Sequence, residues 1–360
     1  MTPDEFADEL DSNTVAFIRA LPKAELHVHL EGSIRPATLL RLARRHQIDL
    51  PASDEAGLRR FYQFRDFNHF IEVYIIINQS LCSSEDFELI TREYAAEAAA
   101  QNIRYIELTF TPYPHVRRKG LGWDEIIGGI AAGCTQARRE WGIEIRLIPD
   151  IARNCYSHGA MEEAEKTAEW AVAAQDLAVV ALGLGGEAVG NPPEAFASVY
   201  AYARERGLHS VPHAGEWAGP ESIWGVLHAL HAERIGHGVQ CVRDAALVNY
   251  LREQQIPLEI CPTSNVCTGA VSSLEIHPVR SLYDAGVYIT LSSDGPPMFN
   301  TNLTNEYMLL ASQFHFTRSE LAALSLNSVR AAFLPEEQRK QLDTQFQTEI
   351  DTLLDSPSLA

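Results

Sequence analysis

AELHVHLEGS, residues 24–33, decides the class of the fold. Leu26, Val28 and Leu30 alternate with His27 and His29, the two-residue period of a β-strand, so both imidazoles project from one face. A doubly wound open sheet would carry a glycine-rich phosphate turn after such a strand; this strand runs into HLEGS instead. Seven further short runs repeat the pattern: IRYIELTF (103–110), EIRLIPDI (144–151), VVALGLGG (179–186), HSVPHAG (209–215), RIGHG (234–238), LEICPTS (258–264) and YITLSSD (288–294). Amphipathic segments at 84–101, 123–140, 159–175, 193–206, 220–230 and 243–254 separate them. Strand and helix alternation predicts an α/β protein with a parallel sheet, and a count of eight predicts a closed (β/α)8 TIM barrel.

Residues 31–102 read as a helical insertion after the first strand. Its aromatic series Phe64, Phe67, Phe70 and Tyr74 reads as helical core, with a lid over an apolar ligand as the alternative. LNSVRAAFLPEEQRKQLDTQF, within a helical region at 303–353, reads as a closing helical pair. No repeat, low-complexity tract or linker divides the chain, so residues 1–360 are expected to form a single domain.

Lys and Arg number 29 against 48 Asp and Glu, a formal charge of −19. That excess repels phosphate backbones and anionic lipid, which argues against nucleic-acid and membrane partners and for a small-molecule ligand. MTPDEFADELDS at the amino terminus has neither a basic start nor an apolar core. Six scattered cysteines, with no C-x-x-C pair, argue against a disulfide framework or a zinc ribbon and suit a reducing cytoplasm.

Barrels of this kind place their chemistry at the carboxyl ends of the strands. The polar and turn-forming residues there are His27, His29, Glu107, Asp150, Gly185, Gly186, His213, Glu216, His237, Thr263, Ser264 and Asp294. An H-x-H pair alone is more often structural. Joined by His213 and Asp294, it becomes three imidazoles and a carboxylate, a donor set suited to one zinc per chain. Glu216, one turn past His213, reaches over the same cavity as a candidate general acid, and His237 can orient or deprotonate water. Taken singly, the two would read as a surface carboxylate and a packed histidine.

LPKAELHVHLEGS, SVPHAGE, ERIGHG, CPTSN and the SSD ending, in that order, with FLPEE near residue 334, resemble the motifs of the adenosine deaminase family. The resemblance implies an amidohydrolase-type barrel and zinc-dependent hydrolysis of the exocyclic amine of a 6-aminopurine nucleoside. It further implies that His27, His29, His213 and Asp294 hold the zinc, Asp294 and His29 also bordering the reacting substrate. Glu216 would protonate N1, His237 activate water, Gly186 offer its N–H to N3, and Glu31 face a sugar hydroxyl. The chain departs from the family where a second aspartate usually contacts N7, because Gly295 follows Asp294. A different amino-heterocycle, or a non-catalytic purine-binding relative, is the alternative that this glycine raises. SVPHAGEWAGPESIW and DGPPMF are similar to bacterial adenosine deaminases and to deaminases of 6-aminodeoxyfutalosine, whose benzoate would favour a cation such as Arg117, Arg118 or Lys119. A two-metal hydrolase would need a lysine near the end of strand four, which VVALGLGG lacks, and a cytidine-type deaminase would need P-C-x-x-C.

Overall fold

The computed structural model describes residues 5–64 and 67–356; the side chains of Glu5, Phe67, Asn68 and Phe70 also lie outside the described set. Eight parallel strands follow one another around the sheet in chain order. They are β1 (Lys23–His29), β2 (Ile103–Phe110), β3 (Glu144–Ala152), β4 (Ala181–Gly185), β5 (His209–Ala214), β6 (Ile235–His237), β7 (Leu258–Ile260) and β8 (Ile289–Leu291). The last three are short. Closure depends on a parallel bridge between Val28 and Asp294, beyond the end of β8. The arrangement is a (β/α)8 barrel, with helices between the strands.

Helices occupy the intervals that the amphipathic pattern predicts, among them Ser84–Ala100, Trp123–Trp141 and Ala245–Gln254. Asp244 caps the last of these by accepting from the Ala246 and Leu247 N–H groups. The stretch after β1 holds a short 3-10 turn at Glu31–Ser33 and the helices Pro36–His46, Glu55–Phe61 and Phe67–Gln79 before Ser84–Ala100. The end of the chain folds as Leu303–Phe314, Arg318–Ala331 and Glu336–Leu354. No helix among the described residues is long and apolar enough to cross a membrane.

Two strands end earlier than their sequence suggests. In LEICPTS only Leu258–Ile260 is strand, because Pro262 lacks a donor for the ladder and its fixed φ starts the helix Pro262–Cys267. Thr263 and Ser264 therefore sit on a helix rather than on a strand end. YITLSSD leaves the sheet after Leu291, and Asp294 takes a left-handed conformation, φ 64°.

Candidate active site

His27 and His29 leave β1 toward the barrel interior, and β5 brings His213 to meet them. The Nε2 atoms of His29 and His213 are 3.1 Å apart. Asp294 Oδ1 lies 3.8 Å from His27 Nε2 and 3.6 Å from His29 Nε2. Four ligands at about 2.0–2.1 Å from a tetrahedral zinc would be separated by roughly 3.3–3.4 Å, so these spacings fit an ion at the centre. His27 Nε2 is buried with no hydrogen-bond partner among the described residues. Its other nitrogen, Nδ1, is 2.8 Å from Glu259 Oε2, which holds the proton on Nδ1 and leaves the Nε2 lone pair facing the cluster.

For His29, His213 and Asp294 the electrostatics agree with that geometry, whereas for His27 the lowering effect of burial is outweighed by the Glu259 hydrogen bond and charge, which raise it. Burial, followed by the neighbouring imidazoles, drives His213 far below the ordinary histidine range. Burial also lowers His29. Both are therefore neutral and able to ligate. For Asp294, burial favours the acid form, but the ring of histidines about it and the Ser264 hydrogen bond hold the carboxyl below its ordinary range. His27, His237 and Cys261 form a second possible grouping. The Cys261 thiol is pushed well up by burial and donates to the Glu259 carbonyl, so it is no thiolate ligand.

Above the cluster, Glu216 Oε2 stands 3.7 Å from His237 Nε2. Burial first, then the Asp294 charge, raises Glu216 to about 8, so it carries a proton at neutral pH. Burial takes His237 down to about 3, leaving it neutral. A chain of hydrogen bonds fixes its tautomer. The Val279 N–H donates to His277 Nδ1 at 3.2 Å, so His277 carries its proton on Nε2 and donates it to Asn265 Oδ1 at 3.2 Å. Asn265 Nδ2 then donates to His237 Nδ1 at 3.0 Å, which places the His237 proton on Nε2, facing Glu216. His237 also takes a left-handed backbone, φ 63°. A non-glycine residue in this region stores strain of the kind that gathers at functional sites.

Gly186 follows β4 with φ 95°, a conformation that glycine adopts without strain. Glu31 is fully buried beside the cluster, and its Oε1 accepts from the Thr111 N–H at 3.0 Å and faces His115 Nε2 at 3.2 Å. Its Oε2 has no hydrogen-bond partner among the described residues. Ser264, although on a helix, donates to Asp294 Oδ2 at 2.5 Å, and Thr268 one turn later donates to Glu216. Gly295 packs against Gly32 and beneath Phe299, whose ring also meets Phe64 edge to face at 5.5 Å.

Three residues from the sequence reading stand elsewhere. Glu107 points away from the cluster, into a buried ion network with Arg234, whose Nε also donates to Glu259 Oε1 at 2.7 Å. Thr263 engages Glu306 through its main-chain N–H at 3.1 Å. Arg117 closes the last turn of the exposed helix end at Pro112–Lys119, paired with Glu163 at 2.9 Å. Conversely, Glu259, Arg234 and Asn265 escaped the sequence reading, although a charged residue inside a three-residue apolar strand is itself a signal, since buried charge demands a partner.

The adenosine deaminase family model matches residues 22–349. An aminodeoxyfutalosine deaminase of Streptomyces avermitilis is 42% identical over 321 residues, covering 89% of this chain and 88% of that protein. Among solved structures, the adenine deaminase of Arthrobacter aurescens superposes with a TM-score of 0.86 at 31% identity, covering 93% of this chain and 100% of that one. An amidohydrolase from Burkholderia ambifaria, solved with bound Zn, superposes at 0.88 with 28% identity, covering 97% of this chain and 95% of that one. This chain belongs to the adenosine deaminase family. Its activity is hydrolytic deamination, cleavage of a C–N bond.

Proposed function

We propose that this chain is a zinc-dependent deaminase of a 6-aminopurine nucleoside, adenosine or 6-aminodeoxyfutalosine, that releases ammonia in the cytoplasm. The observation that carries the reading is the convergence of the His29 and His213 Nε2 atoms, 3.1 Å apart, with ionised Asp294 under a protonated Glu216. His27, His29, His213 and Asp294 would hold one zinc, and the Zn-bound amidohydrolase of the same fold supports that choice of metal. Zinc there supplies Lewis-acid activation of water near neutral pH.

The remaining work falls to this chain's own groups. Glu216 donates its proton to the ring nitrogen next to the amine-bearing carbon, which makes that carbon electrophilic. His237, with its proton on Nε2, hydrogen-bonds the incoming oxygen and orients it. Of the water's two protons, one goes out with the amine as ammonia and the other restores the Glu216 acid, while the ring keeps the oxygen and the proton on its nitrogen. Gly186 would meet the ring edge through its N–H, and Glu31 Oε2 would accept from a sugar hydroxyl.

A screen for ammonia release over adenosine, 6-aminodeoxyfutalosine and adenine, with metal analysis of the same preparation, tests this. Turnover of a nucleoside with one zinc per chain is expected. Turnover of free adenine alone, or activity without stoichiometric metal, would overturn it. The second reading, a different amino-heterocycle, draws on Gly295, and the same screen separates the two when extended to pterin and pyrimidine amines.

A further inference from the structure

Asp150 lies near the end of β3, with its Cα paired to that of Gly183 on β4. Its carboxyl is laid across β4 so closely that a Cβ at Gly183 would stand 2.6 Å from Oδ1 and a Cβ at Gly185 2.3 Å from Oδ2. The two glycines share one face of the strand, and only their lack of side chains makes room for this acid. The slot ends next to Gly186, at the floor of the site. Asp150 is 2% exposed, and its Oδ1 has no partner among the described residues. Glu31, across the mouth of β1, presents a second buried oxygen without a partner among the described residues. Tyr74, from the helix Phe67–Gln79, sits in the field of both acids. Unsatisfied buried oxygens are rare, and two such acids, one just past β1 and one near the end of β3, with Asp150 in the field of Glu31, call for a group that completes them.

We propose that Asp150 is a substrate-binding residue that, together with Glu31, reads one hydroxyl of the substrate's sugar. Burial, and then the nearby Glu31 charge, raises Asp150 well above the carboxylate range, so its acid is neutral and can donate. Glu31, which already accepts from the Thr111 N–H at Oε1, keeps Oε2 as an acceptor. The corner thus offers one donor and one acceptor, the complement of a hydroxyl, which both accepts and donates. This inference rests on the nucleoside reading above.

Calorimetric binding of purine riboside and its 2′-, 3′- and 5′-deoxy forms tests it without requiring turnover. In the parent protein, loss of one particular hydroxyl should weaken binding by about 10-fold or more; in Asp150→Ala that penalty should fall below about 3-fold, the signature of coupling between residue and hydroxyl. Asp150→Asn, which keeps a donor of the same shape, should restore part of the discrimination. Zinc content and Tm should match or exceed the parent's, since an unsatisfied buried group has been removed. Asp150→Ala with undiminished discrimination among the three analogues, or loss of zinc and Tm in both variants with equal weakening for all ligands, would overturn the proposal. Coupling in binding without any ammonia release would leave Asp150's role standing and defeat the catalytic reading instead.

Discussion

The main-chain N–H of His29 donates to the carbonyl of Asp294 at 2.7 Å, and the N–H of Asp294 donates back to the carbonyl of His27 at 3.1 Å. Barrel closure and convergence of the proposed ligands are therefore one contact. Asp294 reaches it only by turning into the left-handed region, which asparagine and aspartate tolerate better than other side chains. Asp294→Asn should keep the fold and the two main-chain bonds while losing most bound metal. Asp294→Ala should lose metal equally and cost roughly 1–2 kcal/mol more in stability. Denaturant melts of both metal-free variants, with elemental analysis, check the pair. Equal stability of the two would refute the strain argument.

The His277–Asn265–His237 relay makes a separate claim, that His237 acts through an N–H at Nε2. Asn265→Asp would present a carboxylate to His237 Nδ1, draw the proton there and turn Nε2 into an acceptor. Turnover should fall by about 10²-fold or more, the usual scale for a misplaced proton-transfer group, with zinc retained. Asn265→Asp with near-parental kcat would show that the tautomer is immaterial.

Beneath the site, Arg234 joins Glu107 and Glu259, and Glu259 holds His27. Glu259→Gln keeps the shape but weakens the hold on His27 Nδ1–H, and zinc affinity should drop about 10- to 100-fold in competition with a chelator. Arg234→Met strands two buried carboxylates and should cost about 3–5 kcal/mol. A variant pair in which Glu259→Gln binds zinc as tightly as the parent would exclude this orienting role.

The β1 pattern made the barrel and most of its polar mouth legible, because His27 and His29, alternating with apolar residues on one strand, must share a face and converge. Asp150 stood at a predicted strand end, but the glycine slot that gives it meaning lies on the neighbouring strand and needs the register to be seen. The Pro262 turn illustrates the opposite failure. A β-branched residue and an apolar start carried the strand reading past a proline that ends it, so Ser264 reached Asp294 from a helix instead. Glu259 carried a signal, a charge inside an apolar strand, but its partner His27 lies on β1 and its partner Arg234 just before β6, so the pairing needed the register to be seen.

Lys23 offers a pH test away from the chemistry. Its ammonium is buried and donates to the carbonyls of Leu21 at 2.8 Å and Gln101 at 3.0 Å; burial brings it down to about 7. The unfolded chain holds that proton up to about 10.4. Between pH 7 and about 10 the unfolded state thus binds the extra proton, and this group makes stability rise with pH, by at most ~1.4 kcal/mol per unit. Urea melts at pH 7, 8 and 9 should show Lys23→Met lacking that rise relative to the parent. Parallel curves for the two proteins would mean that Lys23 stays charged in the fold.

Gly295 is where motif and chemistry part, and the structure shows what replaces the missing carboxylate. A Cβ at this position would meet Phe299 Cε2 at 3.2 Å, so the ring edge fills the space that a side chain would take. With no side-chain carboxylate at Gly295, a 7-deaza analogue, which lacks the N7 acceptor, should lose less than about 3-fold in kcat/KM against its parent nucleoside. Gly295 has an ordinary negative-φ or extended backbone, so an aspartate there is not strained by the main chain. Phe299 and Phe64 also border a cavity of about 470 Å³, into which the ring can yield. Gly295→Asp should therefore fold, and its buried carboxylate should impose a penalty on the 7-deaza ligand of about 10-fold or more, because a site built to hydrogen-bond a group discriminates against the analogue that lacks it. Gly295→Asp combined with Phe299→Leu, which relieves the contact, should show the same penalty with a higher Tm than Gly295→Asp alone. A large 7-deaza penalty already present with Gly295 would mean that another residue makes the N7 contact and that the ring edge is no determinant of specificity.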